Sequence, residues 1–259
     1  MKDPVGLAAD IIHKGKKILV FTGAGLSTES GIPDFRSPGG IWDRYDPQDF
    51  YYQRILSDEK AREKYWKMSS EYYVTMKSAL PNRAHLAVRE LEDMGKLLAV
   101  VTQNIDSLHQ RAGNSSEKVI EIHGTAFAVT CLSCGKRYGR DEIEERLKDG
   151  VKAPSCDSCK GILKPATVSF GQAMPEAEMA EAIRCARRCD ACMVLGSSLV
   201  VYPAASVPIH AAEEGARVLI VNRDPTPLDG QAEVVIHESL GETLTGIMER
   251  VRNMRLQGV

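Results

Sequence analysis

Short runs of apolar residues recur along the chain, and amphipathic stretches lie between them. Runs of strand length cover 18–21, 97–102, 119–122, 166–170, 191–195, 218–221 and 234–236. Continuous apolar runs are typical of parallel strands that are buried on both faces. Helical patterns cover 4–14, 60–78, 84–94, 175–188, 204–214 and a stretch that begins near 241. This alternation predicts an α/β protein built on a parallel sheet.

A glycine-rich turn follows the first predicted strand directly. Gly23, Ala24 and Gly25 come after this strand, and the polar Ser27 follows them. A buried strand that leads into such a turn and a helix start can present backbone N–H groups to a pyrophosphate. A plain tight turn is the alternative reading. The usual third glycine and the acidic residue of the dinucleotide fingerprint are missing, so we predict a bound nucleotide without the pose of a hydride-transfer enzyme.

Polar residues follow the second and third predicted strands. Gln103, Asn104 and Asp106 come after the run at 97–102, and His123 comes after the run at 119–122. Ligands of doubly wound sheets bind outside the carboxyl ends of the strands, so these loops lie where chemistry is expected. Helix capping by Asn104 or Asp106 is the alternative. Later strands end in residues suited to phosphate or ribose contact: Gly196, Ser197, Ser198 and Asn222.

Two Cys-x-x-Cys pairs give the strongest local signal. Cys131 and Cys134 form the first pair, and Cys156 and Cys159 form the second, about 20 residues further on. This spacing is typical of a structural zinc ribbon in which four thiolates close a tetrahedron, and two redox dithiols are the alternative. The other three cysteines, which the helical pattern places on one helix face and on a nearby strand, are predicted to be buried thiols, with a second metal site left open: Cys185, Cys189 and Cys192.

Composition excludes several classes of protein. The chain has 259 residues and a formal net charge of -2, so it offers no electrostatic case for binding nucleic acid or a membrane surface. No apolar run approaches the roughly 20 residues of a membrane span. Seven cysteines without an export signal favour reduced thiols, and we therefore expect a cytoplasmic protein. About 75 residues separate the first two strands, which predicts an insertion over about 33–80 that packs over the carboxyl ends of the strands.

Taken together, these motifs resemble those of the sirtuins, NAD-dependent protein lysine deacylases, and a prokaryotic member is expected. The resemblance covers nearly the whole chain, and its motifs occur in order at 23–36, 102–109, 123–124, the paired Cys-x-x-Cys, 170–171, 196–204 and 221–222. It implies a Rossmann-like, doubly wound large domain over 1–32, 85–123 and 171–259. It also implies a smaller domain made of a helical insertion over 33–84 and a zinc ribbon over 124–170, which holds one structural Zn²⁺.

The resemblance also implies the reaction. NAD and an extended acyl-lysine peptide enter the cleft between the domains from opposite sides, and nicotinamide leaves before the acyl carbonyl oxygen attacks the ribose C1′. His123 then acts as general base on the ribose hydroxyls, while Asn104 and Asp106 hold the carboxamide, and O-acyl-ADP-ribose is released. The implied NAD-binding residues are Gly23, Ala24, Gly25, Ser27, Ile32, Asp34, Phe35, Arg36, Gln103, Asn104, Asp106, Gly196, Ser197, Ser198 and Asn222. The implied peptide-binding residues are Val168, Ser169, Phe170, Gly171, Val200, Val201 and Tyr202.

Some positions depart from the family pattern. Many sirtuins carry an acidic residue after the Phe-Gly pair and an aromatic residue before it, where this chain has Gln172 and Ser169. Members that prefer acidic acyl groups carry a Tyr-x-x-Arg pair, whose place by eye corresponds to Trp66 and Ser69, so succinyl preference is not expected. Acetyl is the expected acyl group, although longer fatty acyl groups stay open. An NAD-dependent ADP-ribosyltransferase and a non-enzymatic NAD or ADP-ribose sensor are the alternative functions.

Overall fold

The computed structural model describes residues 3–258, so Met1, Lys2 and Val259 lie outside the described part of the chain. The strands are β1 Ile18–Thr22, β2 Leu97–Thr102, β3 Val119–Glu121, β4 Gly124–Cys131, β5 Arg137–Gly139, β6 Leu163–Thr167, β7 Ala191–Leu195, β8 Arg217–Val221 and β9 Val234–Ile236. The α-helices are α1 Pro4–Lys14, α2 Ile41–Arg44, α3 Tyr52–Ser57, α4 Glu59–Ser78, α5 Arg83–Asp93, α6 Leu108–Arg111, α7 Arg140–Lys148, α8 Glu176–Ala186, α9 Ser206–Glu213 and α10 Leu240–Leu256.

Six strands form one parallel sheet in the order β3-β2-β1-β7-β8-β9. β1 and β7 lie at its centre, and every residue of both strands is buried. The strand order reverses between β1 and β7, and in doubly wound sheets the carboxyl edge at such a reversal is where ligands bind. The predicted doubly wound parallel sheet is therefore confirmed.

Helices cover both faces of this sheet. On one face α1, α5 and α10 pack together over an apolar core that includes Ile12, Val20 and Leu244. On the other face α8 and α9 pack over a second core that includes Phe21, Val194 and Val207. Burial of both faces explains why the strands are apolar runs without alternation.

The smaller sheet is antiparallel and contains three strands in the order β5-β4-β6. It belongs to the segment that was predicted as a zinc ribbon, and α7 packs beside β4 and β5. The inserted helices α2 to α4 bring aromatic side chains together in two further clusters, around Tyr72 and around Phe50. Within residues 3–258, no helix is long and apolar enough to cross a membrane.

Several predicted boundaries were wrong. The strand expected at 166–170 is β6, three residues earlier, so Lys164 and Pro165 lie inside it and 168–170 form an irregular segment. A residue with a long charged side chain is a poor strand signal, and burial of Lys164 is a tertiary feature. The expected helix at 204–214 is the shorter α9. Cys189 lies beyond the end of α8, so it does not share a helix face with Cys185.

Candidate functional site

The glycine-rich turn after β1 packs directly against the turn after β7. The Gly23 N–H donates to the Leu195 carbonyl at 3.1 Å, and the Gly25 N–H donates to the Gly196 carbonyl at 2.9 Å. A Cβ atom added to Gly23 would lie 2.7 Å from the Gly196 oxygen, so a side chain does not fit there. The expected helix start is wrong, because two short 3₁₀ turns, Ala24–Leu26 and Thr28–Ser30, take its place.

Asn104, Ser27 and Asp106 form a buried hydrogen-bonded group beside this turn. The Asn104 amide Nδ2 donates to the Gly23 carbonyl and to Ser27 Oγ, both at 3.1 Å. Ser27 Oγ donates to Asp106 Oδ2 at 2.7 Å, and the Leu108 N–H donates to Asp106 Oδ1 at 2.9 Å. Burial raises the pKa of Asp106, while these two donors oppose that rise. The group can therefore offer a fixed polar surface to a carboxamide.

His123 lies two residues after β3, and its position defines the state of its ring. His123 Nδ1 is 3.0 Å from the Gln103 carbonyl oxygen. Because a carbonyl oxygen only accepts hydrogen bonds, Nδ1 carries the proton and Nε2 keeps its lone pair. Burial lowers the pKa of His123 below 6.5, and the bond to Gln103 opposes this. The ring is therefore neutral at pH 7 and can accept a proton at Nε2.

The other candidate NAD-binding residues lie on both sides of the crevice. Gln103 Nε2 donates to Ser197 Oγ at 2.8 Å, which connects the loops after β2 and β7. A pocket beside them is lined by Gly25, Asp34, Gly196 and Asn222 together with acidic side chains. Ala24 and Ser198 are half-buried, and Phe35 and Arg36 are exposed. Ile32 packs against the aromatic cluster around Tyr72. The structure thus brings the loops of nearly all the predicted residues to one sheet edge.

The candidate peptide-binding residues form two segments that are partly exposed. Val168 begins the first, and its N–H donates to the His123 carbonyl at 2.9 Å. Ser169 to Gln172 form a tight turn, in which the Gln172 N–H donates to the Ser169 carbonyl and Gly171 has a φ of 76°. In the second segment Val200 and Tyr202 are exposed and Val201 is half-buried. Phe170 lies beside Trp42 and Tyr51.

The four predicted zinc ligands come together at one end of the ribbon. Their sulfur atoms all lie within 4.8 Å of one another. Cys131 Sγ is 3.5 Å from Cys159 Sγ, and Cys134 Sγ is 3.7 Å from Cys156 Sγ. Tetrahedral Zn–S bonds of about 2.3 Å require sulfur separations of about 3.8 Å, so the four thiols fit a zinc ion. No disulfide links any of the seven cysteines, which lie within the described residues.

The remaining cysteines belong to the core of the large sheet. Burial raises the pKa of Cys185 to about 11 and that of Cys189 to about 12. Cys192 is fully enclosed in β7. Within residues 3–258 they are not part of any cluster with the spacing of a metal site. The prediction of buried thiols is therefore confirmed.

The Sir2 family model matches residues 23–203, which is more than half of the chain. The chain belongs to the Sir2 family. The resemblance to sirtuins is therefore confirmed, and the matched region contains the glycine-rich turn, the loops with Asn104, Asp106 and His123, and the cysteine cluster.

Relatives and solved structures match nearly the whole of this Sir2 chain. The NAD-dependent protein deacetylase 1 of Bradyrhizobium diazoefficiens is 46% identical over 245 residues, or 94% of this chain and 95% of the relative. A solved structure described in work on the mechanism and regulation of Sir2 enzymes has a TM-score of 0.88 at 44% identity, covering 98% and 100%. A second Sir2 structure, with a deacetylated p53 peptide and 3′-O-acetyl ADP ribose, has a TM-score of 0.87 at 38% identity, covering 93% and 96%.

The two residues placed by eye at the Tyr-x-x-Arg position both contact the ribbon. Trp66 packs into the ribbon core, where the Arg140 guanidinium stacks 5.1 Å from its ring. Ser69 Oγ accepts a hydrogen bond from Arg140 Nη1 at 2.8 Å. On the other side of α4, Tyr65 and Met68 pack against the aromatic clusters. None of the tyrosines of α4 is followed by an arginine three residues later, so this helix contains no Tyr-x-x-Arg pair.

Sequence reasoning missed a set of buried polar residues behind the site. Thr22 Oγ1 donates to Thr102 Oγ1 at 2.8 Å and contacts His109 Nε2 at 3.2 Å, while the Asn104 N–H donates to Thr102 Oγ1 at 3.0 Å. The rings of His109 and His85 pack edge to face, with centroids 5.1 Å apart. The sequence did contain a signal for these residues. Thr22 and Thr102 end apolar strands, and a polar side chain that is excluded from water there needs a hydrogen-bond partner.

Proposed function

We propose that this chain is an NAD-dependent protein lysine deacylase that removes acyl groups, with acetyl as the expected group, from lysine side chains. The products are nicotinamide and O-acyl-ADP-ribose. The observation that carries the proposal is the joint position of the Asn104–Ser27–Asp106 group and of neutral His123 at the carboxyl edge of β1, β2 and β3. The activity of the Bradyrhizobium relative supports the same reaction.

We also propose the division of the chain that the resemblance implies. The large domain comprises 1–32, 85–123 and 171–259, the helical insertion comprises 33–84, and the ribbon comprises 124–170. The ribbon cluster supports this division, because it joins Trp66 of the insertion to buried residues of the ribbon such as Val129 and Leu163. The cleft between the two domains is then the site of the reaction.

NAD, consumed as a co-substrate, supplies an electrophilic ribose carbon once nicotinamide leaves. Asn104 and Asp106 are proposed to hold the carboxamide, because the side-chain oxygen of Asn104 and the buried carboxyl group of Asp106 can accept hydrogen bonds from an amide N–H. The Ser27 hydroxyl bonds to both side chains and so fixes their positions relative to each other. The backbone at Gly23 and Gly25 and the side chains of Ser197 and Asn222 are proposed to hold the phosphates and the adenosine ribose.

His123 is proposed as the general base. Its Nδ1–H is held by the Gln103 carbonyl, which orients Nε2 for proton transfer from a ribose hydroxyl. Because burial lowers the pKa of His123, its base form persists somewhat below pH 6.5 and is lost at lower pH. Deacylation should therefore fall on the acid side as this ring becomes protonated.

The substrate is proposed to be an acyl-lysine protein or peptide that binds as an added strand between Val168–Gly171 and Val200–Tyr202. Phe35 and Arg36 are proposed to cover the site when NAD is bound. We predict no direct binding of nucleic acid. A reducing, cytoplasmic location is part of the proposal, because the four clustered thiols must stay unoxidised to bind zinc.

One incubation tests the proposal and its alternatives. The purified protein is mixed with NAD and an acetyl-lysine peptide, and mass spectrometry follows the peptide and nicotinamide. A deacylase removes the acetyl group and releases one nicotinamide for each peptide. An ADP-ribosyltransferase increases the peptide mass instead, and a sensor binds NAD without releasing nicotinamide. Either of these last two results would overturn the proposal.

A further inference from the structure

Lys164 is a buried lysine that the proposed reaction does not use. Its side chain is 1% exposed, and no carboxylate of residues 3–258 lies within 4.0 Å of its ammonium group. Burial of a charge is costly unless other groups satisfy it. Nζ donates to the Thr167 carbonyl and to the Pro165 carbonyl, and it lies 5.5 Å from the centroid of the Tyr65 ring. The ammonium group is thus held by carbonyls at the end of β6.

Thr167 is held from a second direction by the helical insertion. Tyr65 Oη lies 3.1 Å from Thr167 Oγ1, and the Tyr65 ring is buried in α4. In the ribbon sheet, Thr167 pairs with Gly124, the residue after His123. A Cβ atom on Gly124 would lie 2.0 Å from the Ala166 carbonyl oxygen, so these two backbones are in close contact. The end of β6 is therefore fixed against the turn that carries the proposed general base.

The residues after Thr167 form the proposed peptide-binding segment, and most of their backbone groups already have partners. The Val168 N–H bonds to His123, Ser169 bonds to Gln172 through both its N–H and its carbonyl, and the Phe170 carbonyl accepts from the Tyr52 N–H at 2.8 Å. Within residues 3–258, the Val168 carbonyl, the Phe170 N–H and both groups of Gly171 have no backbone or side-chain partner. These free groups are what an added strand could use.

We propose that Lys164 and Tyr65 are positioning residues for the substrate peptide. By fixing Thr167, they set the direction in which Val168 to Gly171 leave the sheet and thus the register of the free backbone groups. The inference rests on the proposed function, since it assigns a role to residues behind the proposed peptide site. Neither side chain is placed in contact with NAD or with the acyl group.

The test compares three variants in the full chain. Lys164→Met removes the ammonium group at similar length, and Tyr65→Phe removes only the hydroxyl that contacts Thr167. Arg140→Met is the matched control, because Arg140 is also 1% exposed but bonds to Glu144 and Ser69 at the far side of α4. Thermal melts first establish a temperature at which each variant is folded. Peptide Kd is then measured by fluorescence anisotropy with a labelled acetyl-lysine peptide, beside KM for peptide and for NAD.

We expect Lys164→Met to raise the peptide Kd and KM about tenfold, since a hydrogen bond from a charged donor is lost, with the KM for NAD within about twofold of wild type. Tyr65→Phe should raise peptide KM about threefold and should decide the matter if Lys164→Met does not fold. Arg140→Met should lower Tm with little change in peptide Kd. Folded Lys164 and Tyr65 variants with wild-type peptide Kd, or an equal rise in Arg140→Met, would overturn the inference. Failure of the proposed function is a separate result, an inactive wild type.

Discussion

The large parallel sheet and the small ribbon sheet reach stability in different ways. The large sheet has two apolar clusters of 26 and 22 buried residues. The ribbon cluster has seven buried residues, of which two are cysteines of the proposed zinc site. A core that small supplies little hydrophobic stabilisation, and small domains commonly rely on a metal for the remainder. The comparison indicates that the stability of the ribbon depends on its four cysteine ligands, whereas the stability of the large sheet depends on the apolar side chains of its strands.

Buried charge shows the same contrast. Around the ribbon sheet, Arg140 stacks between Trp66 and Tyr73 and pairs with Glu144, and Lys164 is held by carbonyls. The core of the large sheet instead encloses neutral histidines, His85 and His109, whose pKa values are lowered by burial. Polar interactions therefore connect the ribbon to α4, whereas the histidines enclosed in the core of the large sheet are neutral.

Loss of zinc should have the largest effect on stability, and it should unfold the ribbon and leave the large sheet folded. Chelation or Cys131→Ala is expected to lower Tm and abolish activity together, because thiolate binding energy is folding energy in such ribbons. Zinc content, measured by mass spectrometry of the metal, should be one ion per chain. Cys192→Ala serves as the control, because it removes a thiol from the large sheet and should leave zinc content unchanged. A metal-free protein with full activity and unchanged Tm would contradict a structural zinc site.

Changes at the edge of the large sheet should affect chemistry with the fold intact. His123→Ala is expected to lower deacylation by at least about 10²–10⁴-fold, which is the contribution of a positioned base. It should keep a much larger share of labelled-nicotinamide exchange, because nicotinamide leaves before a ribose hydroxyl must lose its proton. Asp106→Asn should impair both reactions, since Asp106 is proposed to act in the first stage. Equal loss of exchange and deacylation in folded His123→Ala would refute the second-stage role.

Acid should destabilise the large sheet through its buried histidines. Burial lowers the pKa of His85 to about 4 and that of His109 to about 3. Between these values and 6.5, the unfolded state binds more protons than the folded state, so stability is lost as pH falls through this window. Each histidine should contribute a slope of about 1.4 kcal/mol per pH unit, measured by urea unfolding with zinc in excess. His109→Gln should therefore reduce the slope by about 1.4 kcal/mol per pH unit.

The smallest expected effect is that of a change at Gln172, which lies between the ribbon and the helix α8 that covers the large sheet. Its side-chain carbonyl accepts the Ser169 N–H at 3.1 Å, so a glutamate could keep this bond and add a charge. Gln172→Glu should favour peptides with flanking basic residues by at most about 1 kcal/mol, since the pair would be partly exposed. Relative kcat/KM on basic-flanked and acidic-flanked peptides measures this, with Gln172→Ala as the control. A ratio unchanged from wild type would place Gln172 away from the peptide.

Much of this protein follows from its sequence alone. The apolar runs predict the strands of the parallel sheet because burial on both faces requires such runs. The candidate site also follows from local patterns. Residue type and spacing along the chain predict the glycine-rich turn, the polar residues Asn104, Asp106 and His123 after the strands, and the cysteine pairs. For this reason the family, the fold class and the candidate site could all be predicted before any contact was known.

The tertiary structure decided the features that depend on distant partners. Sequence could not show that Lys164 lies in a buried strand, because the aromatic ring beside its ammonium group, that of Tyr65, comes from α4. The tautomer of His123 follows from the Gln103 carbonyl, which is 20 residues away in the chain. Gly23 is required by the Gly196 backbone, beyond any role in binding a phosphate. In each case the cause is a contact between segments that the local pattern does not relate.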